Sequence, residues 1–226
     1  MKNISILGDG LLGSELQNQR SNWMLYSRRQ TNFDIKDINI PESDVIINCI
    51  AHTNTYDTDR QPNWDVNYKF VSDLVEYCNT TNTKLVHIST DYIYSNSDTN
   101  ATEDSVPVHC NNWYGYTKLL ADGYVQLKSN DYLIIRCTHK PTPFPYESAW
   151  IDQIGNFDYV DLIASLIIKL VEKNCYGVYN VGTHTKTMHE LAKRTRIVSS
   201  SFRPTYVPGN TSMNINKLTG VICDLH

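Results

Sequence analysis

The 226-residue chain contains no apolar run long enough to cross a membrane. Its opening MKNISILGDG has one Lys and a short apolar stretch, which Gly8, Asp9 and Gly10 interrupt, so it does not read as a signal peptide. The six cysteines, at 49, 78, 110, 137, 175 and 223, show no C-x-x-C spacing. That argues against a disulfide framework, and the absence of a Cys/His cluster with ligand spacing argues against a zinc site. Reduced cysteines point to a cytoplasmic setting. Positive charge is not in excess: 20 Lys and Arg face 24 Asp and Glu, a net charge of −4, so a nucleic-acid partner is not expected. Charged residues are only 19% of the chain. Asn, Thr, Ser and 15 tyrosines fill the deficit, and apolar residues at 41% suffice for a sizeable core. There is no internal repeat and no low-complexity linker, hence no clean domain boundary.

Strands and helices alternate. Lys2–Leu7, Trp23–Tyr26, Asp44–Ile50, Lys84–Ser89, Tyr132–Cys137 and Gly177–Val181 read as buried strands, with Phe33–Ile35 as a strand fragment. Helices are expected at Gly13–Arg20, Trp64–Asn79, Tyr114–Leu127, Tyr159–Glu172 and Thr187–Lys193. This order predicts βαβ units: an α/β chain with a Rossmann-type doubly wound parallel sheet. After Arg136 the pattern loosens. His139–Asn156 is rich in Pro and aromatics and reads as an ordered loop, and Arg203–Leu218 looks irregular. The expectation is one domain over 1–226, with a small C-terminal substrate lobe formed mainly by 139–157 and 183–226.

Gly8-Asp9-Gly10-Leu11-Leu12-Gly13 is G-x-G-x-x-G, directly after the first strand and opening a helix. Gly8 permits the tight turn, Gly10 lets backbone approach a pyrophosphate, and Gly13 allows close helix–strand packing. The helix N-terminus then offers free N–H groups to phosphates. The second strand ends in Ser27-Arg28-Arg29 without an acid, which favours NADP(H) over NAD(H), with Arg28 at the 2′-phosphate. Asp34 and Ile35 fall where the adenine would lie.

Tyr114-Gly-Tyr-Thr-Lys118 places a phenol and an ammonium one helical turn apart. A neighbouring positive charge lowers a tyrosine pKa and makes it a usable acid/base. Tyr124 and Lys128 repeat the spacing, so the pair alone is a weak signal. Context favours the first: the fourth strand ends in Ser89-Thr90-Asp91-Tyr92, and a hydroxyl at that end of a parallel strand overlooks the ligand crevice.

The ordered set G-x-G-x-x-G, Ile50-Ala51-His52-Thr53, Ser89-Thr90-Asp91-Tyr92 and Tyr114-x-x-x-Lys118 resembles the extended short-chain dehydrogenase/reductases. It is most similar to the dTDP-4-dehydrorhamnose reductase group. Tyr179-Asn180-Val181-Gly182 and Asn210–Asn214 agree. The resemblance implies NADPH-dependent reduction of a 4-keto-6-deoxy sugar nucleotide, in which Tyr114 protonates the C4 oxygen, Thr90 polarises it and Lys118 tunes Tyr114 and meets the nicotinamide ribose. Ala51 and Thr53 would line the cofactor channel. Thr90, Asp91, Tyr92, Arg203, Thr211 and Asn214 would face the nucleotide sugar, and a homodimer is compatible with the family. A sugar-nucleotide epimerase or epimerase-reductase, and a non-catalytic NADP-binding regulatory subunit, are the alternatives. The chain departs from the family after Arg136, where Cys137-Thr138-His139 replaces the usual T-S-W and the substrate lobe is shortened.

Other residues read more plainly. His87 is expected in the core and His52 beside the crevice without a chemical role. His139, His184 and His189 are expected at the surface, and Trp64 and Trp113 in packing. Cys137 is expected to face the pocket without acting as a nucleophile. Trp150 is a candidate for substrate contact.

Overall fold

In the computed structural model, residues 2–95, 99–105 and 112–223 are described. His109 and Cys110 lie outside them. The chain runs β1 (Ile4–Leu7), α1 (Leu11–Gln19), β2 (Met24–Tyr26), the one-turn α2 (Arg28–Thr31) and β3 (Val45–Asn48). A π-helical segment, Asn63–Lys69, continues into α3 (Phe70–Thr80), followed by β4 (Lys84–Ser89), a 3₁₀ turn (Asp91–Tyr94), α4 (Trp113–Lys128) and β5 (Tyr132–Arg136).

The next stretch holds the short strands β6 (His139–Lys140), β7 (Ser148–Trp150), β8 (Ile154–Gly155) and β9 (Asp158–Tyr159). Then come α5 (Val160–Glu172), β10 (Gly177–Asn180), β11 (Lys186–Thr187), α6 (Met188–Ala192), β12 (Ser199–Ser201) and α7 (Asn216–Cys223).

Six parallel strands form the main sheet in the order β10-β5-β4-β3-β1-β2. Two-residue periodicity assigns its faces. Ile4, Ile6, Val45, Ile47, Val86, Leu133 and Ile135 pack with α1, α5 and α7. Leu7, Ile46, Leu85 and Ile134 point the other way, onto Phe70, Val71, Leu74 and Val75 of α3 and Ala121 and Val125 of α4. Both faces are covered, so these strands carry apolar residues on both faces, with a few buried polar ones such as Ser5 and His87 among them. The strand order reverses between β1 and β3, and the crevice beyond the carboxyl ends of a parallel sheet at such a switch point is where this architecture binds ligands.

Three expectations change. Phe33–Ile35 does not join the sheet: Asp34 only bridges to Asp37, while Phe33 is buried against Phe70, so its apolar character reflects packing. The 139–156 segment is not purely a loop. Its short strands pair with later ones, β6 with β9, β7 with β12 and β8 with β11, pairings that no local pattern announces. The end of the irregular segment is helical, because α7 packs Leu218 into the core beside α5.

Candidate active site

The glycine turn is sterically specified. Gly8 has φ +97°, a conformation L side chains rarely adopt, and a Cβ there would lie 2.9 Å from Ile50 Cγ1. A Cβ on Gly13 would sit 1.9 Å from the Gly8 carbonyl oxygen, so helix and turn could not approach as they do. A Cβ on Gly10 would meet nothing, since that backbone faces open space. Gly10 is also the N-cap of α1, and no side chain caps the first N–H groups of this helix. This turn, Arg28, Ile35 and Ala51 line one end of the crevice. Arg29 is bound to Asp9 at 2.8 Å and holds that carboxyl below its usual range. Arg28 has no ion pair among the described residues. Asp34 does not face the crevice; its carboxylate closes its own turn by accepting from Lys36 N at 3.0 Å.

The crevice continues past Leu11, Leu12, Ala51 and Thr53 to Thr90, Tyr114 and Lys118. Each of the last three is placed by local chemistry. Thr90 directly follows β4 and caps the 3₁₀ turn, its Oγ1 accepting from Tyr92 N at 3.2 Å. Asn112 caps α4, accepting from Gly115 N at 2.6 Å, which sets Tyr114 in the first turn. Lys118 follows one turn later and is buried. Its Nζ donates to Ile88 O at 2.6 Å and lies 3.3 Å from His87 Nε2. Burial pulls its pKa down to about 8, with Asp122 opposing. Burial also raises the Tyr114 phenol pKa, against the hydrogen bond from Thr90 that favours phenolate. The expected lowering by Lys118 is therefore not what dominates: its ammonium is engaged by β4, and loss of solvent wins. Tyr124, of the second Y-x-x-x-K, binds Glu76 at 2.8 Å on an exposed face.

Asp91 is buried beneath the crevice and raised by that burial. It accepts from Thr138 Oγ1 at 2.5 Å, Thr211 Oγ1 at 2.9 Å and Thr90 Oγ1 at 3.4 Å, so three distant segments meet on one carboxylate. Thr211 and Tyr92 line the outer chamber, a cavity of about 540 Å³ walled by Phe144, Tyr146, Trp150 and Gln153. Arg203 and Asn214 do not line it. The Arg203 backbone N–H donates to Asp152 Oδ1 at 2.8 Å, its guanidinium to Asp152 O at 3.3 Å and also to Val207 O. Asn214 accepts from Asn216 N and Asn180 Nδ2. Their polarity is consumed inside the fold.

His139 is a further correction: it lines the crevice rather than the surface, and burial lowers its pKa to about 4. Trp64 and Trp113 are half-exposed instead of packed, and Arg60 stacks on Trp113 at 4.2 Å. Cys137 lines the crevice with its thiol pKa pushed up by burial, an environment that disfavours thiolate. Asn67 carried no sequence signal. It sits in the π-helical segment, where its side chain accepts from His52 N at 2.8 Å and donates to His52 O at 3.1 Å, fixing the loop that carries Ala51 and Thr53.

Some buried polar atoms without partners lie along this space and are open to a ligand: Ser89 Oγ and His139 Nδ1 in the crevice that holds Tyr114, and Gln153 Oε1 in the outer chamber. Among the described residues there is no cluster suited to a metal ion and no helix long and apolar enough to cross a membrane.

A doubly wound parallel sheet, a glycine turn at its switch point and a tyrosine–lysine helix beside it define a protein of the extended short-chain dehydrogenase/reductase type. Residues 1–139 match the family model described as the RmlD substrate binding domain, and the chain belongs to that family. Among solved structures, it is similar to dTDP-4-dehydrorhamnose reductase from Bacillus anthracis str. Ames in complex with NADP (23% identity, 96% of this chain and 92% of that chain, TM-score 0.81). A Clostridium acetobutylicum ATCC 824 dTDP-4-dehydrorhamnose reductase aligns over 98% of this chain and 92% of its own (20% identity, TM-score 0.81). UDP-glucuronic acid 4-epimerase from Bacillus cereus in complex with NAD shares the fold at 18% identity, covering 96% of this chain and 91% of its own (TM-score 0.73). No curated protein sequence matches the chain.

Proposed function

We propose that the protein is an NADPH-dependent reductase of a 4-keto-6-deoxy sugar nucleotide, with Tyr114 as proton donor to the C4 oxygen. The observation that carries this reading is that Thr90, Tyr114 and Lys118 line one crevice with Gly10, Leu11 and Leu12 of the glycine turn. Family membership and the NADP in the Bacillus anthracis structure support it.

The residues present fit a dinucleotide. The Gly10 backbone and the uncapped start of α1 would hold the diphosphate, and Arg28 would meet a 2′-phosphate. The bound cofactor would supply the hydride. Lys118 spends two contacts on Ile88 O and His87, which leaves a donor direction for a ribose hydroxyl. With its pKa raised, Tyr114 stays protonated at neutral pH and serves as an acid. Thr90 carries a single hydroxyl proton, which lies toward Asp91 without substrate; turned to the same substrate oxygen, it would polarise that oxygen. A developing alkoxide is more basic than phenolate, so the proton passes from Tyr114 outward. Lys118, mostly charged at pH 7, then stabilises the phenolate left behind.

The test is consumption of NADPH absorbance with a nucleoside-diphospho-4-keto-6-deoxyhexose, with deuteride from labelled NADPH recovered at C4. Wild type should turn over and Tyr114→Phe should not. Tight NADPH binding without turnover of any keto sugar would favour a non-catalytic binding role instead.

A further inference from the structure

A sugar nucleotide carries a diphosphate beside the sugar, and that anion needs a counter-charge where the reacting carbon is held near Tyr114. Among the described residues, the outer chamber has two charged lining side chains, Asp91 and Lys140. The Asp91 carboxylate is occupied by Thr138 and Thr211. Arg203, the cation the sequence offers for this lobe, is turned inward onto Asp152 and Val207. Among the described residues, Lys140 is therefore the one cation that lines the chamber.

Its position is unusual in three respects. It lines both the chamber and the crevice that contains Thr90 and Tyr114, so it stands on the wall between them. It makes no hydrogen bond and no close ion pair among the described residues; burial lowers its pKa, and the charge opposing that is Asp91, which already accepts from Thr138 and Thr211. Its backbone is fixed, because β6 pairs Lys140 with Tyr159 of β9. A half-buried ammonium with no hydrogen-bond acceptor, facing a carboxylate already shared by two threonines, is stabilised by a ligand that supplies an acceptor.

We infer that Lys140 is the residue that binds the substrate's diphosphate, and so selects nucleoside-diphosphate sugars over their uncharged counterparts. The inference rests on the sugar-nucleotide reading above, and it adds the residue that recognises the anion. The neighbouring hollow lined by Tyr56, Trp113 and Tyr206 holds a second cation, Arg60, but that guanidinium is stacked on Trp113 and lies outside the chamber lining.

The experiment is isothermal calorimetry on protein saturated with NADP⁺, titrated with dTDP and UDP and, in parallel, with thymidine and uridine. Lys140→Met should weaken diphosphate binding about 10- to 100-fold, the range a charge-assisted hydrogen bond supports, and leave the nucleosides unchanged. Lys140→Arg should retain most of the affinity, and Arg60→Ala should behave as wild type. Unchanged diphosphate affinity in Lys140→Met overturns the assignment while leaving the sugar-nucleotide reading intact. Equal losses for diphosphate and nucleoside, or an equal loss in Arg60→Ala, overturn it as well. Wild-type protein that binds NADP⁺ but neither dTDP nor UDP overturns both readings together.

Discussion

The sheet half and the C-terminal segments solve the burial problem differently. In the sheet half, strands of three to six residues are covered on both faces, and the core is built from Ile, Leu and Val. In the later segments the strands are two or three residues long, the apolar cluster around Phe144, Phe157 and Met188 is small, and buried charge takes a structural share. Asp158 shows this. It is almost fully buried, and it accepts from Thr183 at 2.6 Å, Arg194 at 3.0 Å and Lys186 at 3.3 Å. Burial opposes its charge, but these donors outweigh it and hold the carboxyl below its usual value. Apolar layers give a rigid platform for the glycine turn and the Tyr114–Lys118 helix. The polar network organises loops too short of apolar surface to hold themselves.

Four variants and conditions would break or sharpen that contrast. The largest effect is expected at Tyr114→Phe, which should cut kcat by about 10²- to 10⁴-fold, the usual contribution of a general acid, and leave the melting temperature unchanged. Next is Asp158→Ala, which strands the buried Lys186 and should cost about 3–5 kcal/mol in denaturant unfolding. If the contrast between the two regions is right, that loss comes from a charge in the lobe, and Asp158→Asn recovers only part of it.

The pH profile is the third. Lys118 is charged below its pKa of about 8 and neutral above it, so kcat/KM for reduction should hold below that point and fall about tenfold per pH unit beyond it. A break near the ordinary lysine value of 10.5 would show that burial does not govern this amine. The smallest effect is expected at Arg28→Ala, which should weaken NADPH about tenfold in fluorescence titration and leave NADH nearly unaffected. Equal effects on the two would remove Arg28 from the 2′-phosphate.

The legible parts of the sequence were those encoded locally. The strands Lys84–Ser89 and Tyr132–Arg136 follow from continuous apolar runs, and α4 and α5 from their helical spacing. Glycines at 8, 10 and 13 follow from backbone sterics that one turn contains in full. The illegible parts depend on partners far along the chain. Arg203 looked like a substrate cation because nothing near it in sequence reveals Asp152. His139 looked exposed because its burial arises from the pairing of β6 with β9.

The sequence by itself determined the parallel sheet, the glycine turn and the placing of Tyr114 and Lys118 one turn apart on α4, since each rests on a period or a steric limit within a few residues. Only the tertiary structure decided what surrounds them. Asp91 meets Thr211 across 120 positions, Lys118 turns to the backbone of β4, and Lys140, without a hydrogen bond among the described residues, stands between crevice and chamber. Burial and charge partnership belong to the assembled fold, because solvent is excluded only once distant segments close over a side chain.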